Sequence, residues 1–241
     1  VLGMADGPAA GRVRDLLAPF ADDLLPGALD GYALPVSDGS EANRANTRAA
    51  IRLLGEAGYT VQDGVMTSES GEKLAFDILL QSGATQEINV ADLYVEALKR
   101  IGVDATVVTV DSAQFKERTQ VYDFDMTWYR RGLSLSPGNE QMLYWGSEGV
   151  TKEGTRNWMG MDSPAAEAMI GEMLTAASQQ EFRAAVKALD RVLTTGRYVV
   201  PIWHSPVSRL AHKAWLRYPE DRVQMYGDWI GFQPDVWWAE R

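Results

Sequence analysis

Between residues 74 and 129 the hydrophobic period of the chain switches repeatedly, and this run constrains the fold more than any other feature. Leu74, Phe76, Ile78 and Leu80 alternate with polar or smaller neighbours, the two-residue period of a strand. Over 87–100 the spacing turns helical: Ala91, Tyr94, Val95, Leu98 and Ile101 share one side, and Gly102 supplies a stop. Residues 103–110 are strongly β-branched and predict the next strand. Asp111 with Gln114 three positions on resembles a capping box opening a helix at QFKER. Tyr122, Phe124, Met126 and Trp128 then alternate with Asp123, Asp125, Thr127 and Tyr129, predicting a third strand. Strand, helix, strand, helix, strand at these spacings implies an α/β layer: a mixed, partly parallel sheet with flanking helices.

Helices and loops surround this run. Leu16, Leu17, Phe20, Leu24 and Leu25 predict an amphipathic helix over 12–25, stopped by Pro26 and Gly27. Residues 34–40 read as a loop, and 41–57 as a helix carrying Ala50, Leu53, Leu54 and Ala57 at helical spacing. Ser136 before Pro137, and Ser163 before Pro164, look like N-caps with proline at the first helical position. Ser178 with Glu181 is a capping box for a helix that Gly196 ends. YVVPIWH over 198–204 is expected as a short strand, confined to an edge by Pro201. Beyond Ser205 periodicity fades among Pro206, Pro219 and Pro234. All eight tryptophans lie at or after Trp128, so the tail reads as aromatic anchors or as an apolar surface seeking cover.

Composition narrows the function. A chain of 241 residues can bury a sizeable core, and a net charge of −10 gives no basic footprint, so no nucleic-acid partner is expected. No apolar run reaches the roughly 18 residues a membrane helix needs. The absence of cysteine excludes thiolate chemistry and disulfides. VLGMADGPAAG has neither a basic leader nor an apolar core, so it is not a signal peptide.

Catalysis finds little footing. His204 and His212, the only histidines, stand eight apart, which matches no metal-binding helix spacing; no metal or cofactor is expected. Asp123 and Asp125 would share one strand face, the arrangement of an acid–base pair or of two solvated carboxylates. Ser134 and Ser136 have no histidine at a suggestive spacing, and no G-x-S-x-G elbow, phosphate loop or dinucleotide fingerprint is present.

Binding has a candidate constellation in YDFDMTWYRRGLSLSPGNE over 122–140. It follows an expected strand end, where α/β proteins present ligand surfaces. Trp128 and Tyr129 offer flat walls, and Arg130 and Arg131 can grip carboxylates in bidentate fashion. Ser134, Ser136 and Asn139 add hydrogen-bond capacity, as does Asn157 in GTRNWMG. N–H groups at the start of the helix after Ser136 could hold an anion. Each has an ordinary alternative: Trp128 in a core, the arginines solvated, Ser136 only a cap, Asn157 a turn former.

YDFDM, SLSPGNEQ, GTRNWMG, DSPAAEAMI, ALDRVL and YVVPIWH, in this order, resemble the family 5 solute-binding proteins of bacterial ABC importers. The similarity is greatest to the branch taking up oligopeptides and microcin C-like peptides, and it runs from LLAPF near Leu16 to the final tryptophans. It implies one lobe of a periplasmic-binding-protein-like fold of the class II, or cluster C, type. The implied layout is a lead-in over 1–40, a ligand-binding α/β lobe over 41–204 and an irregular aromatic-rich return segment over 205–241. On this resemblance the partners are a peptide or peptide-like compound, membrane permease subunits and a missing N-terminal lobe. The location is the periplasm, no catalysis is expected, and capture proceeds by two-lobe closure.

One departure from the family pattern bears on the ligand. In the oligopeptide and dipeptide branches the loop after this strand carries an aspartate that pairs with the peptide amino terminus. Residues 129–136 contain no acid but do contain Arg130 and Arg131, which suggests a ligand with an anionic group. The alternatives from other classes are a hydrolase using Asp123 and Asp125, and a stand-alone interaction module using the aromatic tail.

Overall fold

The β-branched and alternating stretches assemble as their periodicity requires. A computed structural model describes residues 5–131, 137–203, 211–218 and 237–240. The strands β3 (Ala75–Gln81), β4 (Asp104–Val110) and β5 (Met126–Thr127) form a three-stranded sheet in the order β4-β3-β5. Both pairings are parallel, with Ala75 opposite Asp104, Gln81 opposite Val110 and Ile78 opposite Met126. Helix α3 (Thr85–Lys99) links β3 to β4, and α4 (Ser112–Gln120) links β4 to β5. The alternation in β3 sorts its side chains. Phe76, Ile78 and Leu80 pack with Ile88, Ala91, Tyr94, Val95 and Leu98 of α3 and with Ala105 and Val107 of β4. Each large aliphatic side chain buried this way contributes about 1.5–3 kcal/mol.

The chain folds into two compact units. The second comprises Ala33–Tyr129 and Gly149–Trp158 and contains the sheet. It also holds α2 (Arg44–Glu56) and the antiparallel pair β1 (Thr60–Gln62) and β2 (Val65–Thr67). The first comprises Val1–Tyr32, Arg130–Glu148 and Met159–Arg241. Thus 41–204, expected as one lobe, contributes to both units.

Alanines and long aliphatics build the first unit. In α7 (Pro164–Thr175), Ala165, Ala166, Met169, Ile170 and Met173 are buried. They face α8 (Gln179–Gly196), which buries Ala184, Ala185, Ala188, Leu189 and Val192. Helix α1 (Gly11–Leu17) packs on α8 with Leu16 and Leu17 buried. Arg191, 3% exposed, donates from Nε to the Ala28 carbonyl (2.6 Å) and from Nη2 to those of Gly7 (2.7 Å) and Leu29 (3.4 Å). One buried side chain therefore fixes the lead-in loop.

The caps form largely as read. The Asp111 carboxylate accepts from Ala113 N–H (2.8 Å) and Gln114 N–H (3.0 Å). Ser163 accepts from Ala166 N–H and Ser178 from Glu181 N–H. The Glu181 carboxylate takes the N–H of Ala177, one residue earlier than a strict capping box would have it.

Three expectations need correction. The helix over 12–25 ends at Leu17 and tightens into a 3-10 turn over Ala18–Phe20, because Pro19 withholds the N–H a longer helix needs. The strand expected from Tyr122 begins only at Met126. Tyr122 sits at φ 58, and Asp123 N–H bonds the Arg118 carbonyl (2.9 Å), a Schellman closure of α4 that uses residues 122–123 as the helix end. Residues 198–203 form no strand; Pro201 cannot donate, and Val199, Val200, Ile202 and Trp203 stay exposed. Helix α8 does end at Gly196 as expected, and the left-handed position after it is Arg197, φ 54. Most of the expected return segment, together with Ser134, Ser136 and His204, lies outside the described residues.

Candidate ligand-binding surface

The strand order places a crevice. From β3 the chain moves to β4 on one side, then returns past β3 to β5 on the other. The carboxyl ends of β3 and β5 therefore flank a topological switch point, where open α/β sheets bind ligands. Ser82 and Gly83 follow β3 there, and Trp128 and Tyr129 follow β5. Thr127 fixes this end by donating its hydroxyl to the Leu79 carbonyl (2.7 Å).

Within the second unit the candidates separate into support and surface. Trp128, half-buried, packs against the α3–sheet core. Asn157 is 1% exposed. Its Cβ lies where a side chain on Gly149 would collide, so glycine at 149 permits that close approach. Tyr129 is half-buried, and its ring meets Trp158 edge-on, with centroids 5.0 Å apart and planes at 67°. Trp158 also meets Phe124 at 5.9 Å. Trp158 was not among the sequence candidates, although GTRNWMG places it next to Asn157.

The two aspartates of the hydrolase alternative have structural work. Asp123 accepts from Arg118 Nε (2.8 Å) beside the end of α4. The Asp125 carboxylate accepts the Asp77 N–H (2.9 Å), extending the β3–β5 pairing beyond the strand. With the strand beginning at Met126, they do not lie on one strand face.

In the first unit Arg130 is exposed. Arg131 is half-buried with its guanidinium carbon 3.2 Å from the centre of the Tyr144 ring, a cation–π contact. Burial opposes ionisation of Glu140, but hydrogen bonds from Gly138 N–H and Gln141 Nε2 and the charge of Arg131 outweigh it and hold the carboxyl below its ordinary value. Asn139 is exposed at the N-cap of α5 (Glu140–Trp145) and makes no side-chain cap bond. Among the described residues no group of three or more histidines, aspartates or glutamates is placed to hold a metal ion, and no helix is long and apolar enough to cross a membrane.

Comparison with known proteins gives a consistent result. Residues 15–153 match the family model described as bacterial extracellular solute-binding proteins, family 5, middle. A binding protein of Brucella melitensis is 38% identical over 232 residues, covering 96% of this chain and 37% of that protein. Two proteins of Agrobacterium fabrum are each 34% identical: one named as a peptide-binding protein, YejA (98% of this chain, 38% of that one), and the peptidoglycan-binding protein YepA (100% and 38%). The chain thus spans little more than a third of the length of these relatives. Among solved structures, the oligopeptide-binding protein AppA of Bacillus subtilis, in complex with a nonapeptide, shares the fold. It superposes with a TM-score of 0.61 at 16% identity, covering 99% of this chain and 46% of that one.

Proposed function

Because this chain belongs to the family 5 bacterial extracellular solute-binding proteins, we propose that it supplies part of the capture surface for a peptide or peptide-like compound in a bacterial ABC importer. The observation that carries this reading is the match across nearly the whole chain to solute-binding relatives, one of them named for peptide and another for peptidoglycan. Its relatives are solute-binding proteins, and the roles found for Asp123 and Asp125 give hydrolysis no support.

The mechanism is capture by closure. A ligand enters between two lobes of the full-length protein, closure buries it, and membrane permease subunits recognise the closed form. The full-length protein acts in the periplasm, where members of an extracellular solute-binding family work. This chain spans little more than a third of its relatives' length, so taken alone it presents only part of the enclosing surface and binds weakly.

Tyr129 and Arg130 are the principal ligand contacts, with Asn139, Ser134 and Ser136 as further hydrogen-bonding groups. Tyr129 provides an aromatic wall at low entropy cost. Arg130 provides a guanidinium for an anionic group, a peptide carboxylate above all. Arg131, Trp128 and Asn157 hold the surface in place rather than meet the ligand.

Uptake tests this reading. Cells making the full-length protein should accumulate a radiolabelled acidic tripeptide, and deletion of its gene should abolish the uptake that complementation restores. Unchanged uptake of acidic peptides of every length in the deletion strain would refute the transport role.

A further inference from the structure

We propose that Trp158 is a positioning residue that fixes the ring of Tyr129 and thereby sets how tightly the aromatic wall grips its ligand. The inference rests on the reading of Tyr129 as a ligand contact and adds a residue that touches no ligand itself. Residues 149–158 are tied to the end of α4 and the loop after it at several points. The Tyr122 hydroxyl donates to the Lys152 carbonyl (3.0 Å) and is hydrogen-bonded to the Thr155 hydroxyl. Gly154 N–H donates to the Gln120 carbonyl (2.9 Å), and Asn157 is buried against Gly149. The segment carrying Trp158 is therefore anchored, and its ring is held by Phe124 at 5.9 Å. Tyr129 follows the two-residue strand β5, and its ring meets this anchored indole edge-on at 5.0 Å. In an edge-to-face pair the positive rim of one ring meets the negative face of the other, which selects one orientation over free rotation. A fixed aromatic wall loses less entropy when a ligand docks.

The test uses the full-length protein, with 3-fluorotyrosine incorporated and the Tyr129 resonance identified by its loss in Tyr129→Phe. The probe ligand is the tripeptide alanyl-glutamyl-alanine. Trp158→Ala should shift the Tyr129 fluorine resonance and weaken binding by about three- to tenfold, the span expected of one aromatic pair. Trp158→Phe should recover most of both effects, which separates positioning from a general loss of fold. In a Tyr129→Ala background, Trp158→Ala should cost nothing more. An unmoved fluorine resonance, or losses that simply add, would overturn the inference. A shifted resonance combined with full affinity in Tyr129→Ala would uphold the positioning of Tyr129 but reject it as a ligand contact, so the two readings fail separately.

Discussion

The guanidinium of Arg131 stacks 3.2 Å from the ring centre of Tyr144, while its chain neighbour Arg130 is exposed. Two adjacent arginines that look equivalent in sequence thus differ in setting: one is half-buried over an aromatic ring, the other is exposed.

Arg131→Ala should lower the stability of the protein by about 1–2 kcal/mol, the range for a partly desolvated cation–π contact. It should leave affinity for an acidic peptide within about twofold. Urea denaturation beside a binding titration checks both halves, and a large affinity loss at unchanged stability would reverse the assignment.

Arg191→Met should be far more costly. It removes the donors to the buried Ala28 carbonyl and to the part-buried carbonyls of Gly7 and Leu29. The expected loss is on the order of 3 kcal/mol, since the buried Ala28 carbonyl left without its donor pays its desolvation. Hydrogen exchange should show the lead-in loop opening first; uniform protection across residues 5–32 would count against this role.

At the end of α8 two substitutions should act in opposite directions. A Cβ on Gly196 would overlap the Tyr198 ring, so Gly196→Ala destabilises unless Tyr198 is also shortened. Arg197 occupies a left-handed backbone position, and Arg197→Gly should stabilise by about 0.5–1 kcal/mol. Thermal unfolding of the two variants gives the answer, and equal shifts would contradict the geometry.

Glu167 predicts a pH dependence. Hydrogen bonds from the Ser147 hydroxyl and N–H, each 2.7 Å, outweigh partial burial and hold its carboxyl below the ordinary 4.5. A carboxyl lowered in the folded state stabilises fully above its unfolded value and loses that contribution as pH falls through the folded one. Stability should therefore decline below about pH 4.5, and Ser147→Ala should flatten that decline. Denaturation midpoints between roughly pH 3 and 6, which bracket that decline, measure it. Identical slopes in both proteins would exclude Glu167 as a contributor.

Much of this architecture is legible in the chain because its signals are local. Asp111, Ser163 and Ser178 each precede a helical pattern, and each caps a helix. The apolar alternation of β3 and the helical spacing of α3 both survive, since each decides which face is buried. The strand read from Tyr122 fails because a tyrosine at φ 58 leaves no mark in sequence, and its alternating neighbours belong to a helix end. The candidate site was partly legible for the same reason. Tyr129 and Arg130 follow a strand, whereas Trp158 gains its role through partners remote in sequence, and Asn157, polar and prominent in its motif, is buried.

The most direct test of the central claim is a calorimetric titration of the full-length protein with alanyl-glutamyl-alanine and with its carboxylate-free counterpart, alanyl-glutaminyl-alaninamide. The acidic peptide should bind more tightly than the amide, and Arg130→Ala should remove roughly tenfold or more of that affinity, the scale of one charge-assisted bidentate contact. Binding of the amide should scarcely respond to the substitution. Equal binding of both peptides, untouched by Arg130→Ala, would contradict the claim.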